Sequence, residues 1–167
     1  MNLTYRKANL TDLDAVCSLV NSAVKNMIEH GIYQWDDIYP ARSDFETDIV
    51  NNQLYIGETD GMPTVVFVIN KISDPEYDDA NWSYTGENYR VIHRLCVSPK
   101  FQRCGIARST MIYVENLLKS QGIESIRLDT FTQNPRALGL YESLGFTKTG
   151  YADWRKGKFV LLEKIIA

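Results

Sequence analysis

Residues 94–111, Arg-Leu-Cys-Val-Ser-Pro-Lys-Phe-Gln-Arg-Cys-Gly-Ile-Ala-Arg-Ser-Thr-Met, carry the spacing most suggestive of chemistry. Here Gln102, Gly105 and Ala107 precede apolar residues at roughly helical spacing, Ile106, Met111, Val114, Leu117 and Leu118. The pattern predicts a helix from close to Gly105 to about Ser120, stopped by Gly122. A helix leaving a Gly-containing turn presents unpaired N–H groups and the positive end of its dipole, which suits a phosphate. Gly105 lacks a Cβ and Ala107 has little more, while Gln102, Arg103 and Arg108 can add donors. The same spacing also describes an ordinary strand-to-helix turn with a small-residue cap. Neither the Gly-Lys-Ser/Thr of a P-loop nor Gly-x-Gly-x-x-Gly occurs here.

The elements that must position this turn can be read outward from it. Val91 to Val97 is rich in β-branched and apolar residues and reads as a strand ended by Pro99. Upstream, Leu3 to Lys7 is a first strand. Thr11 is placed to cap a helix carrying Val16, Leu19, Val20, Val24, Met27 and Ile28, which Gly31 ends. An aromatic and acidic connection, residues 32–40, leads to a second helix announced by Ser43 and Glu46 in capping-box spacing. Leu54 to Thr59 and Thr64 to Asn70 pair about Asp60-Gly61. Tyr77 to Asn88 has no period and reads as a long loop, mobile or functional. Downstream, Ser125 to Phe131 alternates as a strand, and Asn134-Pro135 starts a helix with Asn as cap. Phe146 to Trp154 and Lys158 to Ile165 close as a hairpin about Lys156-Gly157. The order β-α-α-β-β-β-α-β-α-β-β describes one mixed α/β or α+β domain.

A chain of 167 residues suffices for one domain with a sizeable core. With 18 Lys and Arg against 21 Asp and Glu, the net charge of −3 disfavours nucleic acid and anionic membranes as partners; a cationic acceptor is better tolerated. Met-Asn-Leu-Thr-Tyr-Arg-Lys has no signal-type apolar run, and no segment approaches the ~20 apolar residues of a span. A cytoplasmic protein is expected. Cys17, Cys96 and Cys104 form no Cys-x-x-Cys and do not cluster with His30 or His93, which argues against a disulfide framework and a metal site.

Gln102-x-x-Gly105-x-Ala107, preceded by Leu95-x-Val97-x-Pro99, resembles the acyl-CoA-binding signature of the GNAT superfamily of N-acyltransferases. A second run fits the same family: Asn134-Pro135-Arg136-Ala137-Leu138-Gly139-Leu140-Tyr141-Glu142-Ser143-Leu144-Gly145-Phe146. The resemblance implies a single domain over residues 1–167 of mixed α/β, three-layer fold. Its central twisted sheet would be mostly antiparallel, with about four helices and splayed central parallel strands that admit a pantetheine arm. It also implies acetyl transfer from acetyl-CoA to a primary amine by direct attack, with no metal. In that scheme the backbone of Leu95, Cys96 and Val97 pairs with the pantetheine. Gln102 and the N–H groups of Arg103, Cys104, Gly105, Ile106, Ala107 and Arg108 serve the pyrophosphate, and Asn134 touches the cofactor.

Tyr141 is the expected general acid, because a phenol of pKa about 10 donates to a thiolate without ionising; packing in a core is the other reading of its position. His93 is the expected base. By period-two alternation it shares a face with Leu95 and Val97, and the nearby family position, Val91, is apolar. Ordered water, Glu58 and Glu87 are the alternatives. Cys104 sits within the anion turn beside Arg103, where a thiol could be alkylated unusually fast, yet direct transfer needs no acyl-enzyme. Tyr33, Gln34, Trp35, Asp36 and Tyr39, with the loop at Tyr77 to Asn88, are placed to enclose an ammonium group. The expected acceptor is a small-molecule amine. A peptide or protein N-terminus, or a non-catalytic acyl-CoA sensor, is the alternative. A homodimer is expected, dimers being common in the family.

Overall fold

The structure is a computed structural model describing residues 2–167. Its strands are β1 (Leu3–Lys7), β2 (Leu54–Thr59), β3 (Met62–Asn70), β4 (Tyr89–Val97), β5 (Ser125–Phe131), β6 (Thr147–Trp154) and β7 (Gly157–Ile165). The helices are α1 (Leu13–Glu29), α2 (Arg42–Val50), α3 (Ile106–Ser120) and α4 (Pro135–Ser143), with 3-10 turns at Leu10–Asp12, Pro75–Asp79 and Pro99–Phe101. The sheet runs in the order β1-β2-β3-β4-β5-β7-β6, with β4 parallel to β5. This mixed α/β arrangement, mostly antiparallel with four helices, agrees with the expected fold class. Two compact units divide the chain, one of Met1–Ile69 with Arg94–Thr110, the other of Asn70–His93 with Met111–Ala167.

In the first unit β1, β2 and β3 form an antiparallel meander. Asp60 and Gly61 make the β2–β3 turn with φ of 51° and 77°, the consecutive left-handed pair that an Asp-Gly hairpin favours. β3 therefore starts at Met62, two residues earlier than the sequence suggests. The α1 residues Val16, Leu19, Val20, Ala23 and Val24 pack with Phe45 and Ile49 of α2 and with Leu54, Ile56, Val66, Val68 and Cys96 of the strands. Each buried aliphatic side chain contributes roughly 2 kcal/mol.

Two predicted caps are corrected. The chain enters α1 through a 3-10 turn capped by Asn9, whose side chain accepts from the Thr11 N–H at 2.9 Å, while Asp12 accepts from the Asn9 N–H at 2.8 Å. Thr11 thus lies inside the turn and does not cap the helix. At α2 the flanking residue is Ala41, and the Asp44 carboxylate accepts from its N–H at 2.7 Å, so Ser43 and Glu46 already lie inside the helix. An alanine side chain cannot accept in return, which leaves half of a capping box.

In the second unit Tyr89–Val91 pair in parallel with Ser125–Arg127. β5 pairs antiparallel with β7, and β7 with β6. Trp154 pairs with Gly157, so Arg155 and Lys156 form the turn, one residue before the expected Lys156-Gly157. Tyr77, Val91, Ala152 and Leu161 form a small core, flanked by Ala80, Trp82, Tyr89 and Trp154.

The connection before β4, which reads from sequence as a long loop, mobile or functional, is extensively tethered. Tyr77 donates to Asp129 at 2.7 Å, and the Trp82 indole N–H donates to the Tyr77 carbonyl at 2.7 Å. Glu163, 2% exposed, accepts from the N–H groups of Ser83 (2.7 Å) and Tyr84 (3.1 Å). The Arg127 guanidinium lies 4.4 Å from the Trp82 ring centroid and 3.9 Å from that of Tyr89. Among the described residues, no helix is long and apolar enough to cross a membrane.

Candidate active site

The turn ahead of α3 has a shape suited to an anion. Arg103 and Gly105 both adopt left-handed φ, 61° and 74°, alternating the direction of successive amides before α3 begins at Ile106. The Ser109 N–H donates to the Gly105 carbonyl at 3.0 Å, marking the first turn of the helix. The N–H groups of Ile106 and Ala107 lie ahead of that bond, at the positive end of the helix. Arg103, Cys104, Gly105 and Arg108 are exposed, and a Cβ added at Gly105 would meet nothing within 4 Å. The cradle is therefore open. Gln102 is partly buried, and its side-chain amide donates to the Val97 carbonyl at 3.4 Å, bracing the turn against the end of β4. The Cys104 thiol lies 3.5 Å from the Gln102 carbonyl. A cavity of about 380 Å³ lined by Asn2, Leu3, Tyr5, Cys104, Ile106 and Ser109 opens beside the turn.

β4 departs from the alternation expected of it. Arg94 has φ of 52° in mid-strand, which reverses the peptide there, so His93 and Leu95 do not share a face by simple period two. His93 Nε2 sits 2.8 Å from Asn70 Oδ1 and 2.9 Å from the Ile72 carbonyl. A carbonyl only accepts, so Nε2 carries the hydrogen and proton acceptance falls to Nδ1. Leu95 and Val97 are partly buried, and Cys96 is buried in the first unit's core, where desolvation pushes its thiol up to about 12. Glu58 accepts from Arg6 at 2.9 Å, and Glu87 pairs with Lys71 at 2.7 Å, so both alternative bases are held in ion pairs.

In the second unit, Asn134 caps α4, its side chain accepting from the Ala137 N–H at 3.2 Å, with Pro135 at the first helical position. Tyr141 lies on the same helix, 7% exposed and edge-on to Phe146 at 5.7 Å between ring centroids. Burial first, then the charge of Asp129, holds its phenol well above the ordinary tyrosine value. Such a phenol stays protonated throughout the neutral range. It is equally a core residue.

The proposed acceptor residues lie in the first unit, on the connection between α1 and α2. Asp36 Oδ1 accepts from the N–H groups of Ile38 at 3.0 Å and Tyr39 at 3.1 Å, an Asx turn that shapes the connection. Trp35 packs against the core, whereas Tyr33 and Tyr39 are exposed. The Tyr39 hydroxyl accepts from Arg94 Nη1 at 2.8 Å. Arg94 also grips Asp48 of α2 in a two-pronged pair, Nε to Oδ2 at 2.9 Å and Nη2 to Oδ1 at 2.7 Å. Sequence reasoning passed over both partners. Asp48 sits between Phe45 and Ile49, where only burial distinguishes it from a surface carboxylate. Among the described residues, no three His, Cys, Asp or Glu side chains are grouped to hold a metal ion.

Residues 33–146 match the acetyltransferase (GNAT) family. A segment of 58 residues is 33% identical to the ribosomal protein bS18-alanine N-acetyltransferase of Salmonella typhimurium, a match spanning 35% of this chain and 39% of that relative. A solved structure from Staphylococcus aureus Mu50, itself provisionally assigned as an acetyltransferase, is 30% identical with a TM-score of 0.77, covering 98% of this chain and 99% of that one. The PaiA N-acetyltransferase of Thermoplasma acidophilum, solved in complex with coenzyme A, is 18% identical with a TM-score of 0.73, covering 99% of both chains; at that identity it speaks to the fold.

Proposed function

Because the chain belongs to the acetyltransferase (GNAT) family, we propose that it transfers an acetyl group from acetyl-CoA to the primary amine of a small metabolite by direct attack, as a cytoplasmic enzyme and one domain. The observation that carries this reading is the exposed turn before α3, where two left-handed residues lead into the positive end of the helix. Arg103, Gly105, Ile106, Ala107 and Arg108 suit a diphosphate there, with Gln102 bracing the turn and Cys104 tolerated within it. The backbone of Leu95, Cys96 and Val97 suits the amides of the pantetheine arm, and Asn134 is the further residue expected to touch the cofactor.

The cofactor supplies an activated thioester; the chain's residues hold groups and move protons. With acetyl-CoA bound, His93 Nδ1 would take a proton from the ammonium, directly or through water, and the lone pair so freed would form the C–N bond as the C–S bond breaks. Tyr141 would protonate the departing thiolate and recover its proton, through water, from the acylated nitrogen. Ordered water, Glu58 and Glu87 are the alternative bases, the two carboxylates each held in an ion pair. Tyr33, Trp35, Asp36 and Tyr39 would border the acceptor.

Thiol release measured across a panel of amines tests this. Tyr141→Phe should lower kcat by about 100-fold with coenzyme A affinity unchanged. Tight coenzyme A binding by wild type without turnover of any amine would instead indicate a sensor, and no heat on titrating coenzyme A would remove the reading altogether. The similarity to a bS18-alanine N-acetyltransferase favours a second reading, transfer to a protein N-terminus. A peptide with a free N-terminal alanine therefore belongs in the panel; the higher kcat/KM decides. Sedimentation would test the homodimer expected here.

A further inference from the structure

We infer that Arg94 is a positioning residue for the acceptor amine, acting through Tyr39; this rests on the acetyltransferase reading of the same site. Three hydrogen bonds from one guanidinium carry the inference. Two go to Asp48, which is 4% exposed, and one to the Tyr39 hydroxyl at 2.8 Å. A planar guanidinium can engage a carboxylate with two N–H groups and still direct a third elsewhere, which an ammonium on a flexible stem does not reproduce. The residue bearing it stands at the left-handed break of β4, immediately before Leu95, Cys96 and Val97. That backbone is the proposed binding site of the pantetheine.

Arg94 therefore joins three segments of one unit: the strand proposed to bear the cofactor arm, helix α2, and the α1–α2 connection proposed to border the acceptor. Trp35 of this connection packs against the core. Asp36 closes its Asx turn, and Tyr33 (53% exposed) and Ile38 (66% exposed) project to solvent. The Tyr39 hydroxyl is thus a fastening between this aromatic segment and the strand. Loosening it should lower the fraction of molecules in which the acceptor's walls are in place, and a smaller competent fraction appears as weaker acceptor binding.

The test is a cycle of Tyr39→Phe, Arg94→Lys and the double variant, assayed with the best amine from the panel. Tyr39→Phe removes one oxygen and leaves the buried Arg94–Asp48 pair intact, so it folds even if Arg94→Lys does not. The acceptor KM should rise about tenfold in Tyr39→Phe, the size of one charge-assisted hydrogen bond, with kcat and the acetyl-CoA KM within about twofold of wild type. The double variant should be no worse than the worse single one, because both substitutions break the same fastening.

An unchanged acceptor KM in Tyr39→Phe overturns the inference. So does an equal rise in the acetyl-CoA KM, which would report general distortion. Additive effects overturn it as well, since Tyr39 would then touch the acceptor independently of Arg94. A wild-type enzyme that turns over no amine fails earlier, at the functional reading, and takes the inference with it.

Discussion

Two long connections in this chain look alike on paper and behave differently in the structure. The segments at 32–40 and 77–88 are both rich in aromatic and acidic residues, and both invite a role in enclosing an amine. In the second unit, the later segment turns its polar groups inward. Tyr77 bonds Asp129, Trp82 bonds the Tyr77 carbonyl, and Glu163 receives two backbone N–H groups while also accepting from Ser125 Oγ at 3.0 Å. In the first unit, the earlier segment turns about Asp36, packs Trp35 against the core and accepts from Arg94 at Tyr39, while Tyr33 and Ile38 project to solvent. Composition does not distinguish a strap from a rim. What does is where the partners lie: the later segment bonds Asp129 and Glu163 of the sheet's strands.

The sharpest way to break that contrast is Glu163→Ala. It leaves the N–H groups of Ser83 and Tyr84 and the Ser125 hydroxyl without their acceptor inside the fold, and should cost about 3 kcal/mol or more, read by chemical denaturation. Tyr77→Phe should cost about 1–2 kcal/mol in the same assay, because it strips Asp129 of one donor while retaining the ring. A loss below about 0.3 kcal/mol in both would mean that the later segment is no better anchored than the earlier one. By contrast, Asp36→Ala should leave global stability within about 1 kcal/mol, while speeding protease cleavage inside 32–40 and raising the acceptor KM.

The smallest effects are those of pH, and the carboxylates associated with the two segments move in opposite directions. Pairing with Lys71 depresses Glu87 below the ordinary glutamate value. Its contribution is therefore complete above pH ~4.3 and lost as pH falls through its folded value. Being exposed, the pair should vanish from the titration curve in high salt with no change in melting temperature. Asp48 is raised above the ordinary aspartate value, chiefly by burial and despite Arg94. A raised carboxyl favours the folded state as pH falls through its folded value, even as protonation weakens its hold on Arg94. Carboxylate NMR titration should show Asp48 above and Glu87 below their ordinary ranges, and Lys71→Ala should return Glu87 to its own.

Much of the fold was legible because its signals are local. Leu3–Lys7, Leu54–Thr59 and Ser125–Phe131 have the bounds expected of them, α3 starts after Gly105, and Asn134 with Pro135 opens α4. The misplaced caps at Thr11 and Ser43 are errors of two residues each, where neighbouring side chains such as Asn9, Asp12 and Asp44 compete for the same role. The strap was hidden for a different reason: Ser83 and Glu163 lie 80 residues apart, and no local pattern joins them. Arg94 was hidden because left-handed backbone at a non-glycine leaves no mark in composition. The anion turn was legible in outline through Gly105; the left-handed Arg103 that completes its curvature was not.

The three cysteines differ in a way that has a practical use. Cys96 is buried, with its thiol pushed up to about 12, and Cys17 is partly buried and also raised, chiefly by desolvation, whereas Cys104 stands exposed at the turn before α3. A maleimide dye added to the unaltered protein should thus attach at one position, a built-in optical reporter on the turn proposed to hold the diphosphate.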